Sequence, residues 1–161
     1  MKIHHYITFS MLLISSLNAQ NNSYDITFKG IKLGEISTLA TLNERYLDAK
    51  VTNFIAKLLL RKKHFVFYED QKPKIEDAKY RKDKNKILFV LYEAIVHRPT
   101  SKIYNLKNNK KITLSCKNRF CNYDFIKNGK LKGKGVIEFD NKNRFYALKE
   151  EISDVTIIKS K

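Results

Sequence analysis

The sequence predicts a mainly β protein: a single curved antiparallel sheet or half-open barrel carrying one short helix. Three observations predict it. Apolar and polar residues alternate with period two through most of the chain, turn-forming residues interrupt that alternation at short intervals, and only one stretch changes to helical spacing.

Before the first strand, "MKIHHY" is a polar start, Ile7 to Leu17 is an apolar run, and Ala19 is small. This is the pattern of a secretory signal peptide over residues 1–19, cleaved near Ala19. The run is too short to span a bilayer, which takes roughly 18 to 20 apolar residues, so no transmembrane segment is expected once it is removed. Residues 20–161 then form a single all-β domain placed in the periplasm. In "SYDITFKG", Tyr24, Ile26 and Phe28 share one face, as a half-buried strand requires. Gly30 and Gly34 bracket "IKL", which predicts a reversal there into "EISTLATLN", and "RYLDAKV" follows with Leu47, Ala49 and Val51 inward.

"NFIAKLLLRKK" is the helical stretch, with Phe54 and Leu58, Ile55 and Leu59 four apart and a cationic end at Arg61, Lys62 and Lys63. Apolar positions nearly all round predict a buried lid on one end of the sheet. The alternative is a basic amphipathic element that touches a membrane surface. "HFVFYED" returns to strand, Pro73 marks a loop, and "DAKYRK" is joined by "DKNK" to "KILFVLYEAIVHR". Ile87 to Leu91 is apolar at every position, which predicts a central strand covered on both faces. "KKITLSC", "CNYDFIK", "KGVIEFD" and "RFYALKEEI" read as a meander, and "DVTIIK" as a last strand, for eight to ten strands in all by spacing.

The formal net charge is +16. Such a field draws polyanions, and export makes lipid, lipopolysaccharide or acidic glycan the expected partners, with no nucleic acid, unless the lysines only keep the surface solvated. A docked envelope protein is the other partner that a basic face predicts. Lys117, Arg119, Lys127, Lys130, Lys132 and Lys134 are the candidate anion-binding residues. "NGKLKGKG" lacks the spacing and the following helix of a phosphate loop, so Asn128-Gly129 reads as a hairpin turn. Phe28, Phe65, Phe67, Phe89, Tyr92, Phe125 and Phe139 are candidates to line a cavity inside a curved sheet, unless they simply pack the core.

The two cysteines are Cys116 and Cys121. A closed zinc site needs about two further ligands, and beyond residue 19 the only histidines are His64 and His97, so neither metal nor cofactor is expected. Thioredoxin and haem motifs need a Cys-x-x-Cys spacing that is absent. Both thiols share parity with apolar neighbours. A turn centred on Asn118 and Arg119 makes Lys117 and Phe120 the closing pair and sets Cys116 opposite Cys121 at a non-hydrogen-bonded position, where Cα atoms approach to about 4.5 Å. That predicts a disulfide-clipped hairpin in an oxidising compartment. A Cys-His nucleophile is incompatible with a closed disulfide. The adjacent carboxylates Glu69 and Asp70, or Glu150 and Glu151, would point to opposite faces of a strand. No catalytic residue is expected.

"YDITFKGIKLGEISTLATLNERYLDAKV" resembles the bacterial periplasmic family catalogued as domain of unknown function 3108, through Tyr24, Gly30, Ile31, Gly34, Glu35 and Tyr46, over residues 24 to 70. The resemblance implies an exported curved sheet similar in outline to the half-barrels that carry lipid or lipoprotein cargo in bacterial envelopes. The expected function is accordingly that of a non-enzymatic envelope protein that binds a lipid or an acidic envelope polymer. The alternative is a basic-faced protein-protein interaction module without a small ligand.

Overall fold

Strands with one apolar face need a cover, and the architecture follows from that need. A computed structural model describes residues 22–161; the expected signal peptide, residues 1–19, lies outside the described residues. In chain order the elements are β1 (Tyr24–Phe28), β2 (Ile31–Ile36), a 3-10 turn (Ala40–Glu44), β3 (Tyr46–Lys50), α1 (Phe54–Leu60), β4 (His64–Tyr68) and β5 (Ala78–Lys82). They continue with α2 (Ile87–Val96), β6 (Lys102–Leu106), β7 (Lys110–Lys117), β8 (Phe120–Lys127), β9 (Lys130–Phe139), β10 (Phe145–Glu150) and β11 (Val155–Lys159).

All 11 strands belong to one open sheet, in the order β5-β4-β3-β2-β1-β11-β10-β9-β8-β7-β6. Its edges are β5 and β6, so it does not close into a barrel. Every pairing is antiparallel except β4 with β5. The mainly β reading therefore stands, as one open sheet with two helices rather than one.

Alternation builds the core face. On β7, Ile112, Leu114 and Cys116 are buried while Lys111, Ser115 and Lys117 are exposed, and on β8 Cys121, Tyr123 and Phe125 are buried. Lys29 (φ 51°) and Gly30 (φ 73°) form the two-residue turn between β1 and β2, because a hairpin of that length needs a left-handed backbone at both positions. "IKL" consequently lies within β2 rather than in the reversal. Gly34 answers a different need. A Cβ there would lie 2.1 Å from the Lys50 carbonyl oxygen, so only glycine lets β3 pass this close. "EISTLATLN" is strand only as far as Ile36; beyond it Leu39, at the start of the 3-10 turn, and Leu42, within it, are fully buried.

The expected central strand at Ile87–Leu91 is α2. It buries Ile87, Leu88, Val90, Leu91 and Ala94, and joins the same apolar cluster as Ile112, Phe125 and Ile137 of the sheet. The sheet's apolar face is covered by this helix, so the run is apolar on all sides because it is enclosed on all sides. Its first turn is held by Asp83, whose carboxylate accepts from the backbone N–H of Leu88 at 2.8 Å and of Asn85 at 3.2 Å. Burial pushes the Asp83 carboxyl up to about 6, against the pull of those backbone N–H donors.

Candidate functional site

The α1 helix has an inverted arrangement of side chains. Asn53 caps it by accepting from the Ala56 N–H at 3.1 Å, and Arg61, in the left-handed region (φ 51°), ends it. Ala56 is its one buried residue, and Leu60, one turn on, is half-buried. Phe54, Ile55, Leu58 and Leu59 are 74%, 56%, 60% and 69% exposed. The expected buried lid is thus corrected: two apolar side chains of the helix face the protein and the four others point outward. Lys57 lies within the helix and Arg61, Lys62 and Lys63 follow it directly, and all four are exposed. Lys62 makes an ion pair with Asp77 at 3.4 Å.

The cysteine hairpin has the predicted register. Cys116 stands opposite Cys121 and Lys117 opposite Phe120, around Asn118 and Arg119. The two cysteines form a disulfide, with Cα atoms 3.9 Å apart. The Cys116 N–H donates away from β8, to the Pro99 carbonyl at 2.9 Å, as a non-hydrogen-bonded position requires. Arg119 Nη1 donates to Asn141 Oδ1 at 2.6 Å, and Arg98 reaches both the Asn118 carbonyl and Asn143 Oδ1. The hairpin tip is therefore tied to the β9–β10 turn.

The six candidate anion-binding residues are all exposed but do not form one patch. Lys117 and Arg119 sit at one end of β8. Lys127 and Lys130 flank the Asn128-Gly129 turn at the other end, about 25 Å away at the usual rise per strand residue. Lys110 opposes Lys127, which opposes Lys130, so three cations form one row across β7, β8 and β9. Lys132 occupies the β9 bulge, and Lys134 lies two residues further along that strand.

The seven aromatic candidates fall into three settings. Phe28, Phe65 and Phe67 border a cleft of about 10 Å³, where the Arg81 guanidinium lies 3.9 Å from the Phe28 ring. Phe89 and Tyr92 project from α2 against Arg45. Phe125 and Phe139 are packed in the core. Arg45 and Arg81 escape a sequence reading because their ring partners come from distant elements. No signal local to either arginine announces them.

Glu69 is buried while Asp70 is exposed, and Glu150 is buried while Glu151 is exposed, so neither adjacent pair converges. His64 Nδ1 lies 3.0 Å from an Asp48 oxygen, and His97 Nε2 is 4.0 Å from Glu93. Among the described residues no group of three His, Cys, Asp or Glu side chains could hold a metal ion, and no helix is long and apolar enough to cross a membrane. No protein-family model matches this chain, and no curated protein or solved structure is significantly similar to it.

Proposed function

We propose that this chain is an exported, non-enzymatic envelope protein that binds an anionic lipid surface, with α1 as the element that enters the interface. The single observation that carries the reading is the outward apolar face of Phe54, Ile55, Leu58 and Leu59 set among Lys57, Arg61 and Lys63. A large aliphatic or aromatic side chain gains roughly 1.5 to 3 kcal/mol on full burial, and a basic residue near an anionic surface about 1 kcal/mol. Partial immersion of four such side chains with several cations is enough for reversible peripheral binding. The overall charge of +16 adds long-range attraction that salt screens. The signal-peptide pattern and the resemblance to periplasmic half-barrel proteins both support a setting in which such a surface exists.

Co-sedimentation with vesicles tests it. Full-length processed protein is expected to bind phosphatidylglycerol-containing vesicles, to bind pure phosphatidylcholine vesicles far more weakly, and to release as salt rises. Leu58→Ser with Leu59→Ser should weaken binding at least tenfold while the circular dichroism spectrum is unchanged. Equal binding by this variant and the parent would remove α1 from the interface.

A further inference from the structure

A cavity of about 410 Å³ opens where the segment after β4, the start of α2 and the β6–β7 turn come together. Arg45, Lys86, Lys107 and Lys110 lie in its wall with Glu69 and Asp70, and Phe89 and Leu106 give it an apolar side. Arg45 is held by aromatic faces. Its guanidinium carbon lies 4.2 Å from the Tyr92 ring centroid and 5.1 Å from that of Phe89. Rings orient the planar fork but offer it no acceptor oxygen. Nη1 is buried and has no hydrogen-bond partner.

The nearby carboxylates do not fill that role. Glu69 is engaged by Lys86, and Asp70 is exposed at the rim. Among the described residues Arg45, Asp70, Lys107 and Lys110 take part in no ion pair. Arg45 is half-buried, with one nitrogen closed to solvent, so a counter-charge supplied from the cavity would offset the loss of hydration. With the Lys86–Glu69 pair neutral, three cations outnumber one carboxylate, which matches a doubly charged oxyanion better than a single carboxylate.

We propose that this cavity binds a phosphate-class oxyanion, with Arg45 presenting the guanidinium donors other than the buried Nη1 and Lys107 and Lys110 supplying the remaining charge. Arg is suited to that contact because its donors match the spacing of phosphate oxygens. The site is separate from α1: Arg45 precedes β3 and α1 follows it, so neither reading needs the other.

Calorimetric titration of the full processed chain separates the sources of such an anion. The probes are inorganic phosphate and the soluble short-chain lipid dibutyryl phosphatidic acid. Saturable one-to-one binding is expected, at least tenfold weaker in Arg45→Gln and severalfold weaker in Lys107→Gln with Lys110→Gln. The lysine variant carries the test if Arg45→Gln does not fold. Similar affinity for both probes assigns the site to free phosphate. A tenfold preference for the lipid analogue assigns it to a headgroup whose glycerol side meets Phe89 and Leu106. Leu58→Ser with Leu59→Ser should leave phosphate affinity unchanged, which distinguishes failure here from failure of the α1 reading. Absence of saturable binding by the parent with both probes, or undiminished affinity in both cavity variants, overturns the proposal.

Discussion

The two helices have nearly the same kind of sequence and opposite surroundings. "FIAKLLL" buries one residue and exposes four large apolar ones; "ILFVLYEAIV" buries six. Apolar content therefore does not decide burial here. Position along the fold does: α2 arrives over the uncovered apolar face of the sheet, whereas α1 is an excursion between neighbouring strands β3 and β4 and touches the protein through Ala56 and Leu60. A helix that spends its apolar side chains on solvent needs another reason to have them, whereas a helix that closes a core does not.

Truncating a core side chain of α2 is the strongest way to test that contrast. Leu91→Ala removes a fully buried side chain beneath the sheet and is expected to cost about 2 to 5 kcal/mol in denaturant unfolding, with a lowered midpoint and an unchanged slope. A loss below 1 kcal/mol would mean that α2 does not close the core.

Next in size is the pH response of the carboxylate that starts α2. Asp83 is raised in the folded chain from 3.8 to about 6, so its contribution is fully present below pH 3.8 and is lost as pH rises to about 6. The amplitude is on the order of 2 to 3 kcal/mol. The stability difference between the parent and Asp83→Asn should therefore shift in the parent's favour as pH falls from 6 to 4. Parallel pH profiles would show that Asp83 does not titrate in this window.

The disulfide hairpin is a reference distant from both helices in the chain. Cys116→Ser with Cys121→Ser should cost about 2 kcal/mol by loop-closure entropy, read as a lowered thermal midpoint in oxidised protein. Alkylation of unreduced protein should add no label, and two labels would show that the bond is open. The smallest expected effect is at α1. Leu58→Ser with Leu59→Ser should change stability by less than about 0.5 kcal/mol, since both side chains are exposed. A loss like that of Leu91→Ala would show that α1 is a core element after all.

Much of the sheet is legible from alternation, and the cysteine hairpin is legible down to its register, because parity and a two-residue turn at Asn118-Arg119 leave one arrangement that faces the thiols. The α2 helix is not, because a helix enclosed on all sides has no polar stripe, and five consecutive apolar residues suit a buried strand equally well. Length was the usable signal: the apolar run is broken only at Glu93, and it is long for a strand. The orientation of α1 is hidden for the converse reason, since periodicity shows which residues share a face but not which face meets the protein. The separation of Lys117 and Arg119 from Lys127 and Lys130 could have been read from strand length. The Arg45 cavity could not, because its walls come from segments far apart in sequence.

The pairing of β1 with β11 has a consequence for how the chain is made. All five residues of β1 stand opposite β11 at the interior of the sheet, and Ser160 reaches back both to the Ser23 carbonyl and to the Asp25 carboxylate. During synthesis β1 precedes its partner by more than a hundred residues, and its second edge stays unpaired until β11 follows. Until then the sheet has a gap at its middle. The first and last described strands pair at this seam, so a permuted chain that links them and opens at the Asp140–Arg144 turn would make this pairing a local one.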